Sequence, residues 1–204
     1  MPQTTNGLQR CFWSDGSALY DGYHDHEWGH PVVDDIRLFE KISLEGFQAG
    51  LSWITILRKR EAFRAGFDGF DFHTVSRYTS RDVERLLADA GIVRHRGKIE
   101  ACIHNAGRAI ELQREFGSLA RYFWRYEVDV STRPKQLTRE VLGGITTAPE
   151  AIALSKDLKK RGWKFVGPTT MYAFMQAMGL VNDHQHDCFM RAPVEAERKA
   201  LQRP

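Results

Sequence analysis

Apolar residues recurring every three or four positions constrain this chain more than any other feature. From Asp34, a residue suited to capping a helix, the pattern runs through Ile36, Leu38, Phe39 and Ile42. From Ser52 it runs through Trp53, Ile56, Leu57 and Phe63. The same rhythm predicts helices over about 80–89 (Val83, Leu86, Leu87), about 95–115 (Ile99, Ile103, Ala106, Ile110) and about 118–126 (Leu119, Tyr122, Phe123). Pro149 and Pro168 each open a further helix, to about Arg161 and about Met178, at a first-turn position where the missing N–H costs nothing. No stretch alternates cleanly enough to require a sheet, so the expected class is all-α. Residues 1–204 read as one domain of two helical lobes. The Pro-, Gly-, Ser- and Thr-containing segment 128–149 connects the lobes, and 150–179 form a helical hairpin. Residues 1–9 and 191–204 are expected to fray.

With 204 residues, 42% of them hydrophobic, the chain is long enough to bury a substantial core. No window approaches the ~18 to 20 apolar residues of a membrane span, and the start, Met-Pro-Gln-Thr-Thr-Asn-Gly, lacks the basic and apolar regions of a signal peptide. A cytosolic protein is therefore expected. Three cysteines, Cys11, Cys102 and Cys188, argue against a disulfide framework and leave metal binding or burial. A net charge of +3 permits a polyanionic partner only if the charge is gathered on one face. Two clusters qualify, Arg58-Lys59-Arg60 and Lys156 through Lys164, although such runs are often solvated helix faces.

Four segments carry possible chemistry. In Lys160-Arg161-Gly162-Trp163-Lys164-Phe165-Val166-Gly167-Pro168-Thr169, two glycines five apart bracket a tight turn. The amides beginning the following helix, with basic residues around them, suit a phosphate oxygen. Such a contact positions a duplex without reading its sequence; the plain alternative is a helical hairpin with a glycine cap. Glu45 falls on an apolar stripe with Leu38, Ile42 and Ala49, where a carboxylate is costly unless something satisfies it. Either a nearby arginine does so, or Glu45 meets a flat cationic ligand stacked on aromatic rings. The turn that follows, Gly46 to Trp53, presents Leu51 and Trp53. Finally, residues 182–188, Asn-Asp-His-Gln-His-Asp-Cys, place His184 and Cys188 four apart, on one face if that turn is helical. With Cys11 and one of His24, His26 or His30 they make a closed Cys2His2 zinc set, and spacing alone does not choose among the three histidines. Cys102, among Ile99, Ile103 and Ala106, reads as a packed core thiol.

Together these stretches resemble the 3-methyladenine DNA glycosylase I family of the helix-hairpin-helix superfamily. The matching segments are RCFW, YHDHEWG, LFEKISLEGFQAGLSWITILRKRE, DAGIVRHRGKI, LSKDLKKRGWKFVGPTTMYAFMQAMGLVNDH and the closing Cys188, in order from residue 10 to 188. The amino-terminal segment is longer than in compact members, and the end lacks the cysteine-rich sequence of some relatives. The resemblance implies a helix-hairpin-helix glycosylase fold with a structural Zn2+ held by Cys11, His24, His184 and Cys188. It implies Glu45 as the catalytic carboxylate, with Trp13, Tyr23 and Trp53 completing a base pocket. Gly50 and Leu51 would enter the gap left by a flipped nucleotide, and Arg161, Gly162, Lys164, Gly167 and Thr169 would grip the DNA backbone. The expected activity is release of 3-methyladenine from double-stranded DNA by a monomer during base excision repair.

Many superfamily members carry a catalytic aspartate shortly after the hairpin. Here that position is Asp183, beside His184, where an orienting or capping role competes with a catalytic one. A non-catalytic, zinc-stabilised DNA-binding protein would use the same hairpin without a working pocket, and a zinc hydrolase would need an open coordination position that four protein ligands do not leave. His186 and Asp187 are expected on the surface.

Overall fold

Helix α2 (Asp35–Gln48) organises the structure, a computed structural model that describes residues 4, 5 and 7–204. Its N-cap Asp34 accepts from the Arg37 amide at 2.8 Å, and Lys41 through Phe47 are buried on every side. The burial follows from position, because α2 packs against α3 (Trp53–Gly66), α6 (Arg96–Phe116), α7 (Leu119–Phe123) and α10 (Pro168–Ala177). Phe39, Phe47, Phe63, Phe67, Phe70 and Phe72 form a contiguous aromatic core beside it. Ala49, expected on the apolar stripe, lies just past the helix and is exposed.

The long helices fall where periodicity placed them. Ser80–Ala88 (α5), α6 and Pro149–Lys160 (α9) match the expected spans to within two residues at each end, and both prolines occupy first-turn positions. Smaller elements were not legible: α1 (Ala18–His26), α4 (Phe72–Val75), and α8 (Arg139–Gly144) inside the presumed connection. The 118–126 helix is split, ending as α7 and continuing as a 3-10 turn over Trp124–Tyr126. Thr4–Thr5 pair with Leu8–Gln9 as a two-stranded antiparallel ribbon, the one sheet among the described residues; the rest of the expected fraying at the start falls partly outside them.

The expected fraying of 191–204 is corrected. Arg191–Ala200 form α11, whose Val194 is fully buried, and whose buried Arg198 donates to the Gly179 carbonyl at 2.8 Å and pairs with Glu127 at 3.0 Å. These contacts supply the ordering energy that a charged tail lacks by composition alone. No described helix is long and apolar enough to cross a membrane.

Two glycines let the chain ends approach. A Cβ on Gly179, at φ +77°, would stand 2.6 Å from the Pro31 backbone and 2.8 Å from the Gly29 carbonyl; a Cβ on Gly29 would meet the His184 ring at 2.6 Å. Because backbone rather than a flexible side chain blocks the first site, Gly179→Ala is expected to lower the melting temperature by about 5–15 °C, combining overpacking with left-handed strain. Differential scanning fluorimetry checks this, and a change below 2 °C would show that the 29–31 segment yields freely.

Candidate base pocket and metal cluster

A recess walled mainly by aromatic rings, a cavity of about 270 Å3, opens between α1, the end of α2, the start of α3 and α10. That suits one planar ring better than a larger ligand, being near the lower end for small-molecule sites. The four residues expected to form a base pocket, Trp13, Tyr23, Glu45 and Trp53, all line it, joined by Tyr20, Trp28, Gln48, Gln176 and Asp183 among others. Ser17 caps α1, and the helix then sets Tyr20, Tyr23 and His24 three and four apart on neighbouring faces. The rings of Trp13 and Tyr20 lie 5.2 Å apart, Trp13 and Trp28 5.0 Å, and Tyr23 and Trp53 5.4 Å, so the wall is a continuous aromatic surface.

Glu45 is only 4% exposed, and its partner is not the arginine that sequence reasoning considered. Lys41, one turn earlier and 6% exposed, places Nζ 2.9 Å from Glu45 Oε1, donates to the Tyr23 hydroxyl at 2.8 Å and sits 3.3 Å from the centre of the Trp53 ring. Burial lowers the Lys41 pKa, opposed by the Glu45 charge; burial, then the Glu45 charge, raise that of Tyr23 well above its ordinary value. A lysine four residues before Glu45 on the same expected helix was the available signal for this pair.

Asp183 also faces the cavity, and its side chain does not engage His184, as the orienting alternative would require. It accepts from Arg133, from the Tyr172 hydroxyl and from Gln176 Nε2, the last at 2.9 Å. Asn182 holds His184 instead, its Oδ1 lying 3.0 Å from Nδ1.

At the cavity rim, Gly50 (φ +83°) and the 41% exposed Leu51 form the turn from α2 to α3. Lys98 Nζ caps the end of α2 by donating to the Phe47 and Ala49 carbonyls at 2.8 and 2.6 Å, and the cavity-lining Gln48 donates to the Leu51 carbonyl at 3.1 Å. The turn is thereby tied to the pocket.

The helical hairpin from α9 to α10 is fixed on α6. Asn105 donates to the Lys164 carbonyl and accepts from its amide, both at 2.9 Å, and His104 Nε2 lies 2.8 Å from the Gly162 carbonyl. Gly162, Lys164, Phe165 and Thr169 are exposed, Gly167 partly so. Phe165 (φ +57°) is 42% exposed on the same turn. Arg161, expected to face DNA, is committed elsewhere, to Glu115 at 2.6 Å and Asp157 at 2.8 Å. Within the first basic cluster, Lys59 caps the Ala90 and Gly91 carbonyls and Arg60 pairs with Glu27, leaving Arg58 the exposed member.

Behind Trp13, donor atoms of Cys11, His24 and Cys188 lie within 4.8 Å of one another, all buried. His24 faces the thiols with Nε2, which lies 3.4 Å from Cys188 Sγ, while Nδ1 is 2.7 Å from Asp25 Oδ1. His184, wholly buried, stands beside this group with its ring 5.2 Å from that of His24; its Nε2 is buried and has no hydrogen-bond partner among the described residues. Both imidazoles therefore have Nδ1 held by an oxygen; His24 Nε2 accepts from the Cys11 amide at 3.2 Å as it faces the thiols, and His184 Nε2 alone has no partner among the described residues. Burial, then the neighbouring His24, lower the His184 pKa to about 2. Burial pushes the Cys11 thiol up, whereas a hydrogen bond from Cys11, with His24 nearby, draws Cys188 down to about 5. The expected helical turn over 184–188 is absent: the segment is a loop, with His186 and Asp187 exposed as expected. Cys102 is a buried core thiol.

The structure thus holds a buried carboxylate in an aromatic-lined recess on a helical frame. The methyladenine glycosylase family model matches residues 13–191, and the chain belongs to that family. It is 50% identical over 182 residues to DNA-3-methyladenine glycosylase 1 of Escherichia coli, covering 89% of this chain and 96% of the relative. It is 44% identical over 180 residues to DNA-3-methyladenine glycosylase of Haemophilus influenzae, covering 88% and 96%. A crystal structure of 3-methyladenine DNA glycosylase I superposes with a TM-score of 0.81 at 48% identity, covering 89% of this chain and 98% of the other. The Staphylococcus aureus enzyme, solved to explain its recognition of 3-methyladenine, gives 0.80 at 39% identity, covering 89% and 96%.

Proposed function

We propose that this chain is a monomeric DNA-3-methyladenine glycosylase that turns the damaged nucleotide out of double-stranded DNA and hydrolyses its N-glycosidic bond in base excision repair. The observation that carries the reading is Glu45, a buried carboxylate on the wall of a ring-sized cavity lined by Trp13, Tyr23 and Trp53. Methylation at N3 leaves the nucleotide base positively charged. When the bond from the sugar breaks, its electron pair goes to the ring and the base departs neutral, so little acid assistance is needed. Water adds to the oxocarbenium-like sugar carbon and loses a proton, leaving an abasic site. The protein's part is to hold a cationic ring better than a neutral one, which a carboxylate among aromatic faces does. Extrusion costs a few kcal/mol and is cheapest for a weakly paired base.

In this reading the 150–179 hairpin is a helix-hairpin-helix element. The amides around Gly162 and Gly167, with Lys164 and Thr169, meet the DNA backbone, while Arg161 braces the turn through Asp157 and Glu115. Gly50 and Leu51 occupy the gap left by the extruded nucleotide. Cys11, His24 and Cys188, whose donor atoms already lie together, would hold a Zn2+, with His184 beside them as the fourth ligand through an Nε2 that is buried without a partner among the described residues. With four protein ligands such a site would leave no position for water, and these residues would use the metal to join the two chain ends and not for hydrolysis. The enzyme would work in the cytoplasm, on DNA of the nucleoid.

Incubating the protein with methylated duplex DNA and separating the released bases by chromatography tests the assignment. Free 3-methyladenine is expected. DNA binding without any released base would instead establish a non-catalytic binding protein.

A further inference from the structure

The base-pocket reading asks Glu45 to favour a positively charged ring, yet the structure already gives that carboxylate a cation. Lys41 Nζ is 2.9 Å from Glu45, 2.8 Å from the Tyr23 hydroxyl and 3.3 Å from the centre of the Trp53 ring, three groups of the proposed pocket. It reaches them from outside the cavity. Lys41 lines a separate small cleft with Glu27, Glu40 and Arg60, whereas Tyr23 and Trp53 line both spaces and form the partition between them. The ammonium is largely shielded from water, and of the other charges at the cleft Glu27 pairs with Arg60 and Glu40 with Arg64, while Arg37 is exposed at its edge.

We propose that Lys41 is a specificity-determining residue: a resident counter-cation behind the aromatic wall that fixes Glu45, Tyr23 and Trp53 in place and reduces the pocket's preference for charged over neutral bases. Three physical effects point the same way. The Lys41–Glu45 pair is neutral, so an incoming ring meets no full uncompensated charge. An ammonium on one face of the Trp53 indole draws on the electron density that the other face would offer to a cationic base. The hydrogen bond to Tyr23 holds its hydroxyl toward the partition. Lys41 acts through these groups and touches no reacting atom. The consequence is a pocket that selects by ring shape more, and by charge less, than a bare carboxylate would.

The inference rests on the glycosylase reading, and one experiment separates the two. Wild-type protein, Lys41→Met and Lys41→Arg are titrated with 3,9-dimethyladeninium, a permanent cation, and with 9-methyladenine, its neutral counterpart, following tryptophan fluorescence. Methionine keeps most of the side-chain volume without the charge. The ratio of affinities, cation over neutral, is expected to rise about tenfold in Lys41→Met, as for removal of one unit charge several ångströms from a bound cation in a partly screened site. Lys41→Arg, which keeps the charge, should stay within about threefold of wild type. A ratio that is unchanged or falls in a folded Lys41→Met protein overturns the proposal. Failure of both Lys41→Met and Lys41→Leu to fold, judged by circular dichroism, also overturns it, by assigning the residue to stability. A wild type that binds neither compound overturns the base-pocket reading beneath it.

Discussion

Glu45→Ala is expected to lower single-turnover release of 3-methyladenine by about 100-fold or more, the scale of losing one preorganised electrostatic partner in a water-poor site. The loss is compounded in this chain because the truncation strands the Lys41 ammonium, buried and facing Tyr23 and Trp53, where it would repel a cationic base. The double variant Lys41→Met/Glu45→Ala should therefore be less impaired than Glu45→Ala alone. Asp183→Asn is expected to cost less, below about tenfold per folded molecule, because Asp183 is already engaged by Arg133, Tyr172 and Gln176. Its main effect should be on stability, since removing the charge leaves Arg133 without its ion pair in a site where that matters. Rapid-quench assays on variants of matched fold decide this. A greater loss at Asp183 than at Glu45 would move the essential carboxylate to Asp183.

Replacing Cys188 with serine is expected to abolish stoichiometric zinc and to lower the melting temperature by at least about 10 °C. Structural zinc contributes up to about 10–16 kcal/mol to small folded modules, and each kcal/mol is worth about 2–4 °C in a chain this long. The fall should be large because the ligands come from both ends of the chain, and the site is buried beside Trp13 and Trp28, which line the pocket. His26→Ala, altering a competing histidine, should retain the metal. Inductively coupled plasma mass spectrometry gives the zinc content and fluorimetry the melting point. Wild-type protein without zinc, with a melting point indifferent to a strong chelator, would sink the metal assignment. A chelator that unfolds the protein while base release by the remaining folded fraction is undiminished would agree with a purely structural ion.

The contrast between Glu45 and Asp183 also shows where sequence reasoning stopped. Glu45 was found because a charge interrupted a 3.6-residue apolar pattern, an effect contained within one helix. Asp183 was placed beside His184 by the resemblance, with an orienting or capping role weighed against a catalytic one. In space its partners come from α10 and from Arg133 in the connecting segment, and no local pattern records such contacts. Arg161 was named for DNA by the resemblance and its place in a basic run; its pairing with Glu115, 46 residues away, is likewise recorded by no local pattern.

By itself, then, the sequence determined the all-α class, the spans of the long helices and the inventory of reactive side chains, because each depends on spacing within a few turns. It also narrowed the candidate metal ligands to a short set that residue spacing left ambiguous. The tertiary structure brought His24, the histidine that the resemblance implied and spacing left open, to Cys11 and Cys188, and decided that Lys41 rather than an arginine compensates Glu45 and that α11 packs rather than frays. Those outcomes depend on which surfaces meet across 150 residues or more, or on whether a polar group finds a partner once water is removed. Helical periodicity fixes which face turns inward, but only the assembled core sets what stands opposite it.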